Sequence, residues 1–129
     1  MDNNFGSELR KIASGYDGKA ERLKNLENEA NTFVKFVLKE APFYAQCGKL
    51  SMDVSRSKTR EILRLPVYPS KEEAYDAMEH FRKKIRESLL EYGLSGIVFR
   101  GSCDKVSEWR RGSNGERWSF DFEVLDIKW

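Results

Sequence analysis

The stretch "KLSMDVSRSKTREILRLPV", Lys49 to Val67, decides how many strands this chain has. Leu50, Met52 and Val54 alternate with Ser51, Asp53 and Ser55, the period of a strand with one buried face. After the polar run "RSKTR", Leu63, Leu65 and Val67 alternate again. Two alternating runs around a polar turn predict a β-hairpin. The competing reading is a short helix from Ser57 to Arg64, because "KTREILR" is built from good helix formers.

Both flanks read as helix. From Asp17 onward, Ala20, Leu23, Leu26, Ala30, Phe33, Val37, Ala41 and Tyr44 step by threes and fours along one face. Asp17 suits an N-cap and Gly48 a C-terminal stop. Pro42 lacks a donor and crowds the preceding turn, which predicts a kink or restart. On the other flank, Ser70 and Glu73 have the spacing of a capping box. Ala74, Met78, Phe81, Ile85, Leu89 and Tyr92 then form one stripe that Gly93 ends.

"GIVFRG" follows as a strand with little polar face, hence a central one. "KVSEWRR", the turn "GSNG" and "ERWSFDFEVLDIKW" read as a C-terminal hairpin. Trp118, Phe120, Phe122 and Val124 share one parity, whereas Leu125, Ile127 and Trp129 take the other. That switch predicts a β-bulge between 124 and 125, or apolar residues serving both faces. Residues 1–16 read as an N-terminal arm or short helix, and residues 17–129 as one domain. The expected fold is α+β: an antiparallel sheet of about five strands with two main helices packed on one face. Its order is helix, hairpin, helix, three strands.

A formal net charge of +2 gives no general basic excess, so any anion site must come from local arrangement. Two cysteines, Cys47 and Cys103, and one histidine are too few for a disulfide scaffold or a structural zinc site. No metal or cofactor is expected. The opening "MDNNFGSELRKIASG" lacks the apolar core of a signal peptide, and no apolar run approaches the roughly 18 residues of a membrane span. The expectation is a soluble cytoplasmic protein. Phosphate-loop, dinucleotide, zinc-protease and nucleophile-elbow motifs are missing from the sequence. His80 sits beside the apolar stripe as a boundary residue, and nothing in the spacing couples it to Cys103. Asp121 and Glu123 share a strand face, where Arg117 and Lys128 are their expected partners. An enzyme is not expected.

The basic residues fall into two groups. Arg56, Lys58, Arg60 and Arg64 stand against Glu61 alone, an exposed patch suited to phosphates or an acidic protein surface. In "SEWRRGSNGERWSF", residues 107–120, turn symmetry sets Trp109 against Trp118 or Phe120, with the aromatic side facing the core. Arg110 and Arg117 then face outward, with Arg111 beside them. An anion could balance them, and so could Glu108 and Glu116.

"FVLKEAPFYAQCGKLSMDVS", "LLEYGLSGIVFRG" and the closing strand through Trp129 resemble the layout of many small bacteriophage-encoded proteins. In that layout a helix–Gly–strand unit precedes a helix–Tyr–Gly–hairpin unit. The resemblance spans residues 33–129, and Pro42 and the segment 55–69 depart from it. It implies a viral accessory protein that acts in the host cytoplasm. Such a protein binds and inhibits a host enzyme or defence component, or sequesters a nucleotide signal. The expected function is therefore a non-enzymatic binding protein whose partner is another protein. The alternative is a nucleic-acid or nucleotide-binding module using Arg56, Lys58, Arg60, Arg110, Arg111 and Arg117. Either is compatible with a homodimer.

Overall fold

The apolar rhythm after Gly18 becomes helix α1, Lys19–Gln46, in a computed structural model that describes residues 18–106 and 117–129. Leu26, Ala30, Phe33, Val34 and Val37 form its buried face. The expected cap Asp17 lies outside the described residues, and Gly18 occupies the cap position in a left-handed conformation. α1 runs through Pro42 without the restart that was one of the two expectations. Pro42 sits one turn from the C-terminal end and removes the one donor that would have reached the carbonyl of Leu38. Gly48, with φ 79°, then ends the helix as predicted. Its N–H donates to Ala45 O at 2.9 Å, and the N–H of Lys49 donates to Tyr44 O at 3.0 Å. These are the two bonds of a Schellman motif.

The decisive stretch resolves into strand β1, Ser51–Val54, followed at once by helix α2, Arg56–Ile62. The expected hairpin is corrected to the competing helix. Ser55 caps it, its side chain accepting from Lys58 N at 3.2 Å. The edge of strand β3, Trp118–Lys128, shows why a second strand is not needed. Val54 pairs with Val124, Thr59 Oγ1 donates to Phe122 O at 2.8 Å, and Tyr68 and Trp118 exchange backbone bonds of 2.7 and 2.8 Å. One strand, one helical side chain and one bridge together serve that edge. A helix also places Thr59 and Leu63 one turn apart, and both are buried.

Helix α3, Lys71–Glu91, starts where Ser70 accepts from Glu73 N at 3.2 Å. The Glu73 carboxylate does not complete the capping box. It crosses to α1 and takes Arg22 Nη2 at 2.6 Å. After Gly93 the chain enters strand β2, Val98–Lys105, and the sheet order is β1-β3-β2, all antiparallel.

Among the described residues the expected five strands reduce to three. "GIVFRG" is not a separate central strand but the start of an edge strand that continues through Gly101 and Cys103. Gly101 is compatible with the strand interior because the Met78 sulfur and the Phe99 ring fill the space a side chain would need. The register differs as well. Lys105 lies opposite Trp118 and Gly101 opposite Phe122, four positions off the expected register. Trp109, Arg110 and Arg111 lie outside the described residues.

The parity switch in β3 is a bulge, as predicted. Met52 pairs with Ile127 but Val54 with Val124, so β3 carries one residue more. Asp126 takes the positive φ of 54°, and its N–H donates to Asp53 Oδ1 at 2.8 Å. Phe122 is fully buried between Phe33 of α1 and Phe81 of α3, with ring centroids 5.5 and 5.0 Å away. Both long helices therefore cover the same face of the sheet, as expected.

Candidate functional site

The first basic group is built by α2. Its first residue, Arg56, and its fifth, Arg60, lie one turn apart and project toward β3. Asp121 points away from the phenylalanine core, because its neighbours Phe120 and Phe122 are buried on the opposite face. The two guanidiniums close on this one carboxylate. Arg56 Nη1 bonds Asp121 Oδ1, and Arg60 bonds Oδ2 through Nη2 and, at 3.0 Å, through Nε. Arg56 Nη1 also donates to Ser102 Oγ at 3.0 Å, which ties β2 into the cluster. The Asp121 side chain is 17% exposed, against 33% for Arg56 and 64% for Arg60. Burial pushes the Asp121 pKa up, but the hydrogen bonds and charges of Arg60 and Arg56 outweigh it. The carboxyl is held below the usual carboxylate range.

This corrects the expected pairing of Asp121 with Arg117 and Lys128. It also dismantles the basic patch. Lys58 pairs with Glu61 at 3.4 Å and lies 5.7 Å from the centre of the Phe36 ring. Arg64 is exposed, and its backbone N–H is taken by Glu29 Oε2 at 3.1 Å. Arg117 is exposed just before β3, roughly 13 Å from Asp121 at the strand rise. The signal missed in the sequence was available. Arg56 and Arg60 have helical spacing, and Asp121 is the acidic residue between two buried aromatics.

A second feature lies between α1 and α3. Arg22, Leu23, Leu26, Tyr68, Glu73, Asp76 and His80 line a cleft of about 410 Å³. Tyr68 is 3% exposed, and among the described residues its hydroxyl has no hydrogen-bond partner. Burial, followed by the charge of Glu73, pushes its pKa up, while Arg22 opposes them. His80 faces Glu27 of α1 at 3.7 Å. Cys103 is buried in β2, where burial and then Asp104 push its thiol pKa up. Among the described residues no hydrogen bond joins His80 to Cys103. Among the described residues no group of three His, Cys, Asp or Glu side chains could hold a metal ion. Nor is any helix there long and apolar enough to cross a membrane.

The third feature was not foreseen. The C-terminal ends of α1 and α3, the start of β1 and the end of β3 meet at one end of the domain. There the N–H of Trp129 bonds Leu50 O, and Ser95 bridges Lys128. This end leaves large apolar side chains in water: Leu50 is 75% exposed, Tyr92 61%, Phe43 58% and Leu90 52%, with Trp129 beside Leu50 at 37%. Leu50 and Tyr92 continue the apolar patterns of β1 and α3 past the covered part of the core, whereas Phe43 and Leu90 lie off the helical stripes read from the sequence. In comparisons with known proteins, the chain matches no family model, no curated protein and no solved structure.

Proposed function

We propose that this protein is a non-enzymatic binding protein whose partner is another protein. The observation that carries the reading is the exposed apolar end formed by Phe43, Leu50, Leu90, Tyr92 and Trp129. Large apolar and aromatic side chains gathered at one end are the composition of an interface core. The anion-binding alternative loses its main support, since Arg56 and Arg60 are engaged by Asp121.

The layout resemblance directs the search toward a host enzyme or defence component. The test is capture from such a host with the wild-type chain and with Leu50→Asp side by side. A partner retained by the first, lost by the second and insensitive to salt supports the reading. Binding of nucleic acid or nucleotide instead, falling by about 0.9 log unit per log salt for each duplex phosphate contact, overturns it.

A further inference from the structure

We propose that the outer edge of β2 pairs with the same edge of a second copy, joining the two sheets across a two-fold axis. β2 ends the order β1-β3-β2, and among the described residues no element pairs along its outer side. An edge of eight residues is a template for strand addition.

The backbone parity fixes which groups it offers. Val106 N donates to Arg117 O at 2.8 Å, while Trp118 turns its own N–H and C=O toward Tyr68. Residues on a strand alternate in this respect, so Arg100, Ser102 and Asp104 turn their backbone groups inward to β3. Phe99, Gly101, Cys103 and Lys105 turn theirs outward.

An antiparallel copy must match outward groups with outward groups. Three symmetric registers do so near the middle of the strand, centred on Gly101, Ser102 or Cys103. Charge selects one of them. Centring on Gly101 sets Arg100 against Ser102 and Asp104 against Val98. Centring on Cys103 sets Arg100 against Val106 and Asp104 against Ser102. Only the Ser102 centre places Arg100 opposite the partner's Asp104, twice over by symmetry. These positions are not hydrogen-bonded, so the side chains there come closest.

Both charges are available for this pairing. Arg100 and Asp104 are exposed, and neither closes an ion pair among the described residues, although Glu123 lies opposite Arg100 on β3. The same register sets Gly101 against the partner's Cys103, two small residues that let the backbones approach. This surface is distinct from the apolar end, so it stands or falls independently of the proposed function.

The mass of the purified full chain in solution, by light scattering or sedimentation equilibrium, tests the proposal. A concentration-dependent dimer is expected. Arg100→Asp and Asp104→Arg each replace two attractive pairs by two repulsive ones and weaken dimerisation about tenfold or more. The double substitution restores opposite charges with the sign reversed and brings the dimer back. Lys105→Pro removes an outward donor without touching the β3 ladder, and is expected to give monomer. A wild-type chain that stays monomeric at about 1 mM, the range of weak association, overturns the proposal. So does a dimer unaffected by both single reversals, or one not restored by the double, in variants whose circular dichroism matches wild type.

Discussion

Tyr68 buries a hydroxyl that forms no hydrogen bond among the described residues, a cost that a phenylalanine at this position would not carry. Leaving such a group unsatisfied costs about 1–3 kcal/mol, so Tyr68→Phe is expected to raise stability by about 1 kcal/mol in urea unfolding. Unchanged or lower stability would mean that the hydroxyl finds a partner in solution. Thr59 is the opposite case. It is 2% exposed, and its hydroxyl is shared between Arg56 O at 2.9 Å and Phe122 O at 2.8 Å. Thr59→Val keeps the shape but leaves a carbonyl of β3 without that donor, and is expected to cost about 1–2 kcal/mol. Neither role was legible in the sequence. Thr59 stood inside a polar run, and Tyr68 between two prolines and a cap.

Helix α2 is the element on which the fold turns. Its cap, its helix formers and the one-turn spacing of Arg56 and Arg60 were all in the sequence, as was the alternation at Leu63, Leu65 and Val67 that argued for a strand. The tertiary partner decided between them. As a helix the segment hands Thr59 to β3 and two arginines to Asp121. Asp121→Ala leaves both guanidiniums without this partner and is expected to cost about 1–3 kcal/mol, with Arg56→Ala more damaging than Arg60→Ala because Arg56 is the more buried. Equal losses from the two arginine variants would count against that ordering. In β2, a methyl group at Gly101 would lie 2.6 Å from the Met78 sulfur and 2.9 Å from the Phe99 ring. Gly101→Ala is therefore expected to cost about 1–3 kcal/mol through overpacking, read as a lower urea midpoint at unchanged m-value.

At the scale of the whole molecule, the Asp121 cluster joins α2, β2 and β3, and its stabilisation depends on pH. The folded-state pKa of Asp121 lies below its unfolded value. Its contribution is therefore complete above the unfolded pKa of about 3.9 and is lost as pH falls through the folded value. The stability gap between wild type and Asp121→Asn is expected to hold steady near neutrality and to shrink below about pH 4. A gap that stays constant down to pH 2 would deny the carboxylate its role. The sequence by itself determined what local rules control: the two long helices with their glycine stops, the Ser70 cap, the bulge after Val124 and the mixed α+β class. These follow from periodicity and caps, which are properties of neighbouring residues. Only the tertiary structure decided the strand count, the register of β2 on β3, the engagement of the basic patch by Asp121 and the exposure of Leu50 and Tyr92. Each of those depends on residues far apart in the chain, and no local pattern records which distant carbonyl, carboxylate or phenyl ring a side chain will meet.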